Sequence, residues 1–327
     1  MRLMLVVNTS ASSVTARARV VIQKALSADH EVVLKETNRR GHATRLAQGA
    51  AADGLDVVAV LGGDGTLNEA ANGLAGSGTA LAVLPGGSTN VFARTLGMAN
   101  DPIEATSQLM SALSAGSIER VGLGQANARY FLFHAGIGFD AAVVGRVEKL
   151  APLKRYLGPA LFIVATLLTW ADGRDRKGPQ FTLEVRPGTD GAGEGPRGPG
   201  ELDEGTFAIG MNTDPYTFLG SRPMNVAAGT SLATPLSLVV FDRMTLLTVV
   251  PALLSSFRGG LAGNSRHVKV QRCVHLATLR GRGPLPYQLD GDYVGEAEQI
   301  QLRWAAAALS LVLPLEAGQV RRPPASR

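Results

Sequence analysis

Cysteine and aromatic residues are scarce in this chain. Cys273 is the single cysteine among 327 residues, which excludes a scaffold of intrachain disulfides and a cysteine-based zinc site. Aromatic residues make up 5% of the chain, and we find neither a groove-entering motif nor stacking aromatics interleaved with basic residues. We therefore expect no nucleic-acid partner.

Long hydrophobic runs are also absent. The most apolar run, residues 157–171, contains a proline and is shorter than the about 20 residues that span a bilayer. The later run 232–257 is interrupted by Asp242 and Arg243. The opening residues lack the long apolar segment of a secretory signal and predict a β-strand instead. These absences favour a cytoplasmic protein and leave contact at a membrane surface open.

The chain carries a net charge of +5, and the location of this charge is informative. Acidic and basic side chains balance over residues 1–250, whereas residues 251–327 carry ten basic and five acidic ones. Anionic lipid headgroups would be attracted to this last quarter by about 1 kcal/mol per nearby Lys or Arg. A solvated basic face without a partner explains the same count, and both interpretations stay open.

The first third of the chain alternates strand and helix patterns. Apolar runs at residues 3–7, 32–34, 57–61 and 81–84 predict four strands, with helical spacing between them. This order predicts an α/β domain with a parallel sheet covered by helices. Ligands of such sheets bind beyond the carboxyl ends of the strands, where the glycine- and hydroxyl-rich segments of this chain fall.

Beyond about residue 117, short alternating apolar runs separated by turn residues favour an antiparallel β-sandwich with inserted helices. The helical stretches lie at about 139–171 and 243–257. We predict an α/β domain at 1–116, a β-rich domain at 117–320 and a flexible tail at 321–327. A return of the chain to the first domain near its C-terminus is left open.

The strongest motif follows the third predicted strand, where Gly62-Gly63-Asp64-Gly65-Thr66 leads into a helix. Glycines let a phosphate approach the backbone, and the helix N-terminus offers N–H groups and the positive end of a dipole. Thr66 adds a hydroxyl, and Asp64 is a carboxylate suited to Mg²⁺ or to a nucleophile's proton. An ordinary strand-to-helix turn capped by threonine explains the same residues. The motif fits neither a Walker A loop nor the G-x-G-x-x-G fingerprint.

Four separated blocks resemble the catalytic domain of the diacylglycerol kinase and sphingosine kinase family of lipid kinases. In chain order the blocks are Gly62–Leu74, Leu84–Arg94, Phe133–Ala142 and Gln288–Asp292. Polyphosphate and NAD kinases share the glycine-rich turn, but the continuation with Asn68-Glu69 and Asn72-Gly73 is similar to the lipid kinases. The four blocks together span most of the chain in a consistent order.

The resemblance implies a two-domain fold of the diacylglycerol kinase and NAD kinase type, with ATP bound between the domains. It also implies that Asn8–Ser12 forms a first phosphate loop, although this loop reads Asn-Thr-Ser-Ala-Ser where the family usually has Asn-Pro-x-[Ser/Ala]-Gly. The residues implied to contact the nucleotide are Asn8, Thr9, Ser10, Ala11, Ser12, Thr37, Gly62, Gly63, Asp64, Gly65, Thr66, Asn68, Glu69, Gly87 and Ser88.

Asp64 and Asp292 are implied to act in catalysis. Asp292 occupies the position of the family's proposed general base, usually glutamate in D-G-E, and would accept the proton of the attacking lipid hydroxyl. An Asp-Gly pair between apolar residues is also a strong signal for a β-hairpin turn, so Asp290-Gly291-Asp292 has a purely structural interpretation as well.

The implied cofactors are ATP and the Mg²⁺ that enters with it. Some bacterial members of the family carry a structural Mg²⁺ at an acidic run in the second domain. The corresponding stretch here, Ser231–Ser237, has no carboxylate, and we expect no structural metal site.

The favoured function is transfer of the γ-phosphoryl group of ATP to diacylglycerol, which gives phosphatidic acid. The alternatives are another lipid alcohol (a sphingoid base, a monoacylglycerol or a polyprenol), a lipid- or nucleotide-binding protein that has lost catalysis, and, more weakly, an NAD kinase. The expected partners are the lipid alcohol and an anionic membrane surface, bound peripherally at the inner face of the membrane. The oligomeric state is open, a homodimer included.

Overall fold

A computed structural model describes residues 1–138, 178–187, 203–243, 245–259 and 267–315. The chain divides into two compact units. The first comprises Met1–Leu123, Ser231–Ala233 and the described residues from Ala305 onward, and the second comprises the described parts of Gly124–Thr230 and Thr234–Trp304. The predicted domain limits at residues 116 and 320 stay a prediction. The helix predicted at 139–171 and the tail predicted at 321–327 lie outside the described residues.

The first unit is built on a parallel sheet. Its strands are β1 (Arg2–Val7), β2 (Glu31–Glu36), β3 (Val57–Gly62) and β4 (Ala80–Pro85). They pair in the order β4, β3, β1, β2, and each neighbouring pair is parallel. Every residue of β3 and β4 is buried, as expected for central strands that are covered on both faces. The α/β class predicted from the alternating pattern is confirmed.

The helices of the first unit show why the sequence folds this way locally. They are α1 (Ala16–Asp29), α2 (His42–Ala52), α3 (Asp64–Leu74), α4 (Val91–Thr95) and α5 (Pro102–Ser114). The Thr15 hydroxyl accepts the Ala18 N–H at 3.0 Å and caps the start of α1. The buried face of α1 consists of Ala18, Ile22 and Leu26, which are four residues apart and therefore share one side of the helix.

The second unit is antiparallel. The further described strands are β5 (Ile118–Ala126), β6 (Arg129–Phe131), β7 (His134–Gly138), β8 (Phe181–Pro187), β9 (Asp203–Gly205), β10 (Phe207–Met211), β11 (Thr217–Leu219), β12 (Arg222–Met224), β13 (Leu236–Phe241), β14 (Val268–Leu289) and β15 (Asp292–Val312). Strand β14 pairs with β13 through its first residues and with β7 through its last, so that β13, β10, β7 and β14 pair in a closed ring. The predicted antiparallel second part of the fold is confirmed.

A helix, α6 (Leu246–Ser256), follows β13. It corresponds to the second of the two helical stretches predicted in the β-rich part of the chain. None of the helices within the described ranges is both long and apolar enough to cross a membrane.

The last strand brings the chain back to the first unit. Ser310 and Leu311, near the end of β15, pair in parallel with Ala80 and Leu81 of β4. The Ser117 hydroxyl donates to the carbonyl of Leu313, 196 residues later in the sequence, at 2.7 Å. The edge of the first sheet is therefore completed by residues from the far end of the described chain.

Candidate functional site

Three loops meet at the carboxyl end of the first sheet. They follow β1, β3 and β4 and comprise residues 8–13, 62–66 and 86–90. The Ser13 N–H donates to the Gly86 carbonyl at 2.9 Å, and the Ser13 hydroxyl donates to the Gly87 carbonyl at 3.0 Å. The Asn8 Nδ2 group donates to Thr66 Oγ1 at 2.9 Å. The first loop is thereby bound to both of the others.

Glycine is required where the second and third of these loops pass each other. A Cβ atom on Gly86 would lie 2.8 Å from the Gly62 nitrogen, and one on Gly87 would lie 2.9 Å from the Gly63 Cα. Both distances are too short for a side chain against backbone. The close approach leaves backbone N–H groups and the N-terminus of α3 as the groups that an anion would meet here.

Asp64 fastens the third loop to the second. Its Oδ2 atom accepts the Val91 N–H at 2.9 Å, and its Oδ1 atom accepts the Phe92 N–H at 3.0 Å. These N–H groups belong to the first turn of α4, which has no side-chain cap from its own N-cap residue, so that Asp64 provides the cap from another segment. The geometry thus makes Asp64 a positioning residue for the loop that carries Ser88, and its catalytic role stays a prediction.

Asn90 shapes the same loop, although it was not among the predicted site residues. It has a φ of 50°, in the left-handed region that asparagine tolerates. Its Oδ1 atom accepts the Gly87 N–H at 2.7 Å, and its Nδ2 group donates to the Gly87 carbonyl at 2.9 Å and to Asn100 at 2.8 Å. An asparagine directly before a short helix and after two glycines is the sequence signal that could have identified it.

Glu69 joins α3 to the start of α2, whereas the hydrogen bonds between Asn68 and Asn72 lie within α3. The Glu69 carboxylate accepts the Gly41 N–H at 2.7 Å and the Ala43 N–H at 3.2 Å, at the start of α2, where the N-cap Gly41 has no side chain to do so. Asn68 is buried, and its carbonyl and Oδ1 atom accept from the Asn72 amide at 2.9 and 3.3 Å. Contact of Asn68 and Glu69 with a nucleotide stays a prediction.

The other predicted nucleotide contacts lie at the same end of the sheet but differ in exposure. Thr37 follows β2 and is half-buried, and its N–H donates to the Val7 carbonyl at 2.9 Å. The exposed members of the set are Thr9, Ser10, Ser12 and Ser88, and the half-buried ones include Asn8, Ala11, Gly63, Gly65 and Gly87. The hydroxyls of the four exposed residues are therefore accessible to a ligand at this edge, whereas Thr66 is buried and its Oγ1 atom accepts from Asn8.

In the second unit, Asp290 and Gly291 form a two-residue turn between β14 and β15. Their φ angles are 51° and 83°, and Leu289 pairs with Asp292 across the turn. Positive φ at both central residues is the signature of a type I′ hairpin turn. The hairpin predicted from the Asp-Gly pair is confirmed.

Asp290 binds this turn to the segment that enters β7. It is only 5% exposed. Its Oδ2 atom accepts the Leu132 N–H at 2.7 Å, and its Oδ1 atom accepts the N–H groups of Phe133 and His134 at 2.9 and 3.1 Å. Three donors offset the desolvation of the buried carboxylate. The turn therefore holds Asp292, which is half-buried, in a fixed position, and the role of Asp292 as general base stays a prediction.

His134 is a packed histidine beside this turn. Its ring lies against that of Tyr216, with a centroid distance of 4.2 Å. Burial lowers the pKa of His134 to about 3, so that the ring is neutral at physiological pH. Its Nδ1 atom has no hydrogen-bond partner among the described residues. On the loop that carries Tyr216, burial raises the pKa of Asp214 even though two backbone N–H groups donate to its Oδ1 atom.

Metal ligands are not clustered in the part of the chain that the structure describes. No group of three or more His, Cys, Asp or Glu side chains that could hold a metal ion occurs there. Ser231 and Leu232, in the stretch matched to the family's acidic run, are buried, and this stretch contains no carboxylate.

Sequence comparisons identify relatives of this chain. The family model of the diacylglycerol kinase catalytic domain matches residues 2–126. The Probable lipid kinase YegS-like of Pseudomonas aeruginosa is 30% identical over 250 residues, which cover 72% of this chain and 79% of that protein. The diacylglycerol kinase of Bacillus subtilis is 38% identical over 120 residues, or 36% of this chain and 39% of that protein.

Solved structures share the fold. A diacylglycerol kinase from Bacillus anthracis matches with a TM-score of 0.69 at 18% identity, over 97% of this chain and 98% of that one. An NAD kinase from Archaeoglobus fulgidus in complex with ATP matches with a TM-score of 0.53 at 14% identity, over 98% and 99% of the two chains. The predicted fold class is confirmed by these likenesses. Since the Pseudomonas relative matches at 30% identity over more than two thirds of the chain, this protein belongs to the family of lipid kinases that carry the diacylglycerol kinase catalytic domain.

Proposed function

We propose that this lipid kinase transfers the γ-phosphoryl group of ATP to the hydroxyl of diacylglycerol and releases phosphatidic acid and ADP. The observation that carries the proposal is the hairpin turn at Asp290-Gly291, because Asp290 holds it rigidly and Asp292 follows directly. A fixed, half-buried carboxylate is suited to accept the proton of an attacking hydroxyl. The name of the relative from Bacillus subtilis, a diacylglycerol kinase, supports the choice of acceptor.

The loops at the carboxyl end of the first sheet would hold the phosphates of ATP. The Gly62–Thr66 turn offers backbone N–H groups at the start of α3, where the helix dipole favours an anion. The hydroxyls of Ser10 and Ser88 are exposed at the same edge and can donate to phosphate oxygens. Asp64 and Asn90 keep the Ser88 loop in shape. These residues fit a polyphosphate that is bound mainly by backbone groups.

Mg²⁺ would neutralise charge on the transferred phosphoryl group when it is bound with ATP. The described ranges hold no group of three or more potential metal ligands, and each oxygen of Asp64 accepts one backbone N–H and keeps a second lone pair. Phosphate oxygens and water would therefore supply most of its ligands, which is usual for Mg²⁺.

In the proposed reaction the lipid hydroxyl oxygen forms a bond to the γ-phosphorus while the bond from that phosphorus to the β–γ bridging oxygen breaks. The Asp292 carboxylate takes the hydroxyl proton, and ADP leaves with the bridging oxygen. Asp292 is one methylene shorter than the glutamate usual in the family, so that its reach depends on the rigid turn before it.

A second acceptor class is favoured by one observation. The Pseudomonas relative is named only as a lipid kinase, with no acceptor specified. A sphingoid base, a monoacylglycerol or a polyprenol presents the same primary chemistry, a hydroxyl on an apolar chain. We also propose that the protein meets its lipid at an anionic membrane surface, at the inner face of the membrane.

The test of the proposed function is a panel assay. The protein is incubated with ATP, Mg²⁺ and each lipid alcohol in turn, and the products are identified by mass spectrometry. Phosphatidic acid from diacylglycerol, at a rate above that of every other acceptor, is the expected result. A faster product from another alcohol would reassign the acceptor, and ATP binding without any phosphorylated lipid would overturn the kinase proposal for this chain.

Substitutions of Asp292 test its proposed role as general base. Asp292→Asn removes the proton acceptor and is expected to lower kcat by about 10³-fold, whereas Asp292→Glu restores the usual family residue and is expected to keep activity. Glu298→Gln is the matched control, because Glu298 is an exposed carboxylate on the same strand. Full activity of Asp292→Asn would refute the role of Asp292.

A further inference from the structure

The side chains of helix α6 are distributed in the opposite sense to those of an ordinary surface helix. Thr248 and Ser256 are buried, with 7% and 2% exposure, and Ala252 packs against the apolar cluster around Phe241. Four large apolar side chains, among those of this helix that the structure describes, are exposed instead. They are Val250 at 47%, Leu253 at 47%, Leu254 at 53% and Phe257 at 37% exposure.

These four apolar residues form one stripe. Their spacing of three, four and seven residues from Val250 places them on a single face of the helix. A surface helix of a globular protein ordinarily buries such a stripe and exposes its hydroxyl side chains. An exposed contiguous apolar face of this kind marks a binding surface. We call these four residues the α6 stripe.

Basic side chains outnumber acidic ones in the sequence around the α6 stripe, although Asp242 directly precedes Arg243 and contacts His267. From residue 243 to residue 289 the sequence contains seven basic and no acidic side chains. Arg243 precedes the helix, Arg258 follows it, and both are exposed. The stripe is therefore flanked by positive charge at each end, which is complementary to an anionic partner.

We propose that the α6 stripe docks this protein on an anionic lipid bilayer, with the helix lying in the headgroup region and Arg243 and Arg258 on lipid phosphates. Helix α6 has 11 residues, about half the length needed to span a bilayer, so that it lies along the surface. The proposal rests on the proposed function, because a kinase whose acceptor is a bilayer lipid must work at that surface.

The charges also distinguish this occupant from a second copy of the chain. In a two-fold symmetric dimer the same patch faces itself. Arg243 and Arg258 of one copy would then approach the same cationic groups of the other, and Asp242, the acidic residue nearest to them in the sequence, already contacts His267. A bilayer with anionic headgroups supplies both the apolar layer and the opposite charge.

The first experiment measures vesicle binding by co-sedimentation. The triple variant Val250→Ser/Leu253→Ser/Leu254→Ser is compared with the wild type on vesicles of phosphatidylglycerol and phosphatidylcholine. Since the three side chains are exposed, their replacement leaves the fold intact, and the partition coefficient is expected to fall by about 100-fold. The matched control Val20→Ser/Val21→Ser/Ile103→Ser removes three apolar side chains of similar exposure from the first unit and is expected to bind like the wild type.

The second experiment tests insertion and charge. In a Leu254→Trp variant, lipids with brominated acyl chains are expected to quench the new tryptophan, whereas they leave the tryptophan of an Ile103→Trp control unquenched. Arg243→Gln and Arg258→Gln are each expected to weaken binding to the anionic vesicles by about fivefold and to leave binding to phosphatidylcholine vesicles unchanged.

Activity separates this proposal from the proposed function. The triple variant is expected to phosphorylate a dispersed short-chain diacylglycerol like the wild type and to lose activity only on vesicle-embedded diacylglycerol. Wild-type binding to vesicles without phosphorylation of any lipid would refute the proposed function and still support docking. Unchanged vesicle binding by the triple variant would overturn docking, as would a lipid-free dimer that the triple variant dissociates.

Discussion

Asp64 in the first unit and Asp290 in the second both bind a neighbouring backbone segment, but they differ in burial. Each lies next to a glycine, Asp64 at the start of α3 and Asp290 in a hairpin turn, and each uses both carboxylate oxygens to accept backbone N–H groups from another segment. Asp64 is half-buried and accepts two N–H groups, whereas Asp290 is almost fully buried and accepts three. Acidic residues of glycine-rich motifs can therefore act as clamps, by which we mean carboxylates that join two backbone segments and fix the shape of a loop.

The surroundings predict that the two clamps differ in strength. The Asp64 carboxylate is half-buried and binds two N–H groups rather than three, and Asn90 and Ser13 also hold the same loop. Around Asp290 the freed N–H groups of residues 132–134 would be buried. A buried donor left without an acceptor costs about 1–3 kcal/mol.

The largest effect is expected for Asp290→Ala. Loss of three charge-assisted hydrogen bonds in a buried site should lower the free energy of unfolding by about 4 kcal/mol, measured by urea titration. Amide hydrogen exchange at residues 132–134 should accelerate, while exchange in β3 stays slow. Glu298→Ala, which removes an exposed carboxylate of β15, should change the free energy by less than about 0.5 kcal/mol. Slow exchange at 132–134 in Asp290→Ala would contradict the clamp.

Asp64→Ala should cost less, about 2 kcal/mol, because it frees two N–H groups rather than three and the Ser88 loop keeps its bonds to Asn90 and Ser13. Hydrogen exchange at Val91 and Phe92 is the local measurement. A loss of unfolding free energy as large as that of Asp290→Ala would contradict the expectation that the more buried of the two carboxylates contributes more to stability.

Acid should lower the free energy of unfolding through His134. The folded-state pKa of His134 is about 3, below the ordinary value near 6.5 that the unfolded chain has. The unfolded state therefore takes up a proton first, and stability falls as the pH drops from about 6.5 toward 3. His134 alone should account for about 2 kcal/mol lost between pH 7 and pH 5. Urea titrations of wild type and His134→Phe across this range measure the difference, and an identical pH dependence of the two proteins would contradict it.

The smallest effect is expected for Glu69→Ala. Glu69, a half-buried residue of α3, caps the start of α2. Its loss should lower the free energy of unfolding by about 1 kcal/mol. Glu104→Ala is a suitable control, since Glu104 is an exposed residue in the first turn of α5, where Asp101 already provides the cap. If Glu69→Ala abolished ATP binding while stability held, Glu69 would be a nucleotide ligand as the family resemblance implies.

The fold class could be predicted from the sequence because its signals are local. The buried runs of β3 and β4 and the Asp290-Gly291 turn follow from hydrophobic period and turn chemistry. The clamps could not be predicted, because each joins segments that are far apart in the chain: Asp290 reaches residues 132–134, and Glu69 reaches Gly41. A motif shows which residue types are present, but only the fold shows which donors they meet.

The candidate site divides in the same way. The glycine- and hydroxyl-rich motifs lie at the carboxyl end of the sheet, as strand order predicts, and their contact with phosphate stays a prediction. It did not identify Asn90 or Asp290, whose importance comes from a backbone angle and from burial. Helix α6 was predicted as a helix. The burial of its hydroxyl side chains and the exposure of its apolar ones could not be predicted, because the face that packs inward depends on the strands beneath it.

The return of β15 to the first sheet has a consequence for synthesis on the ribosome. Domains generally fold as they emerge, from the N-terminus onward. The segment that matches the family model ends at residue 126, yet β4 obtains its outer partner only when Ser310 and Leu311 have been translated. Until then the β4 edge offers unpaired backbone groups to other nascent chains. We expect the segment 1–126, expressed alone, to aggregate through this edge, and a separately supplied peptide of residues 305–315 to reduce that aggregation.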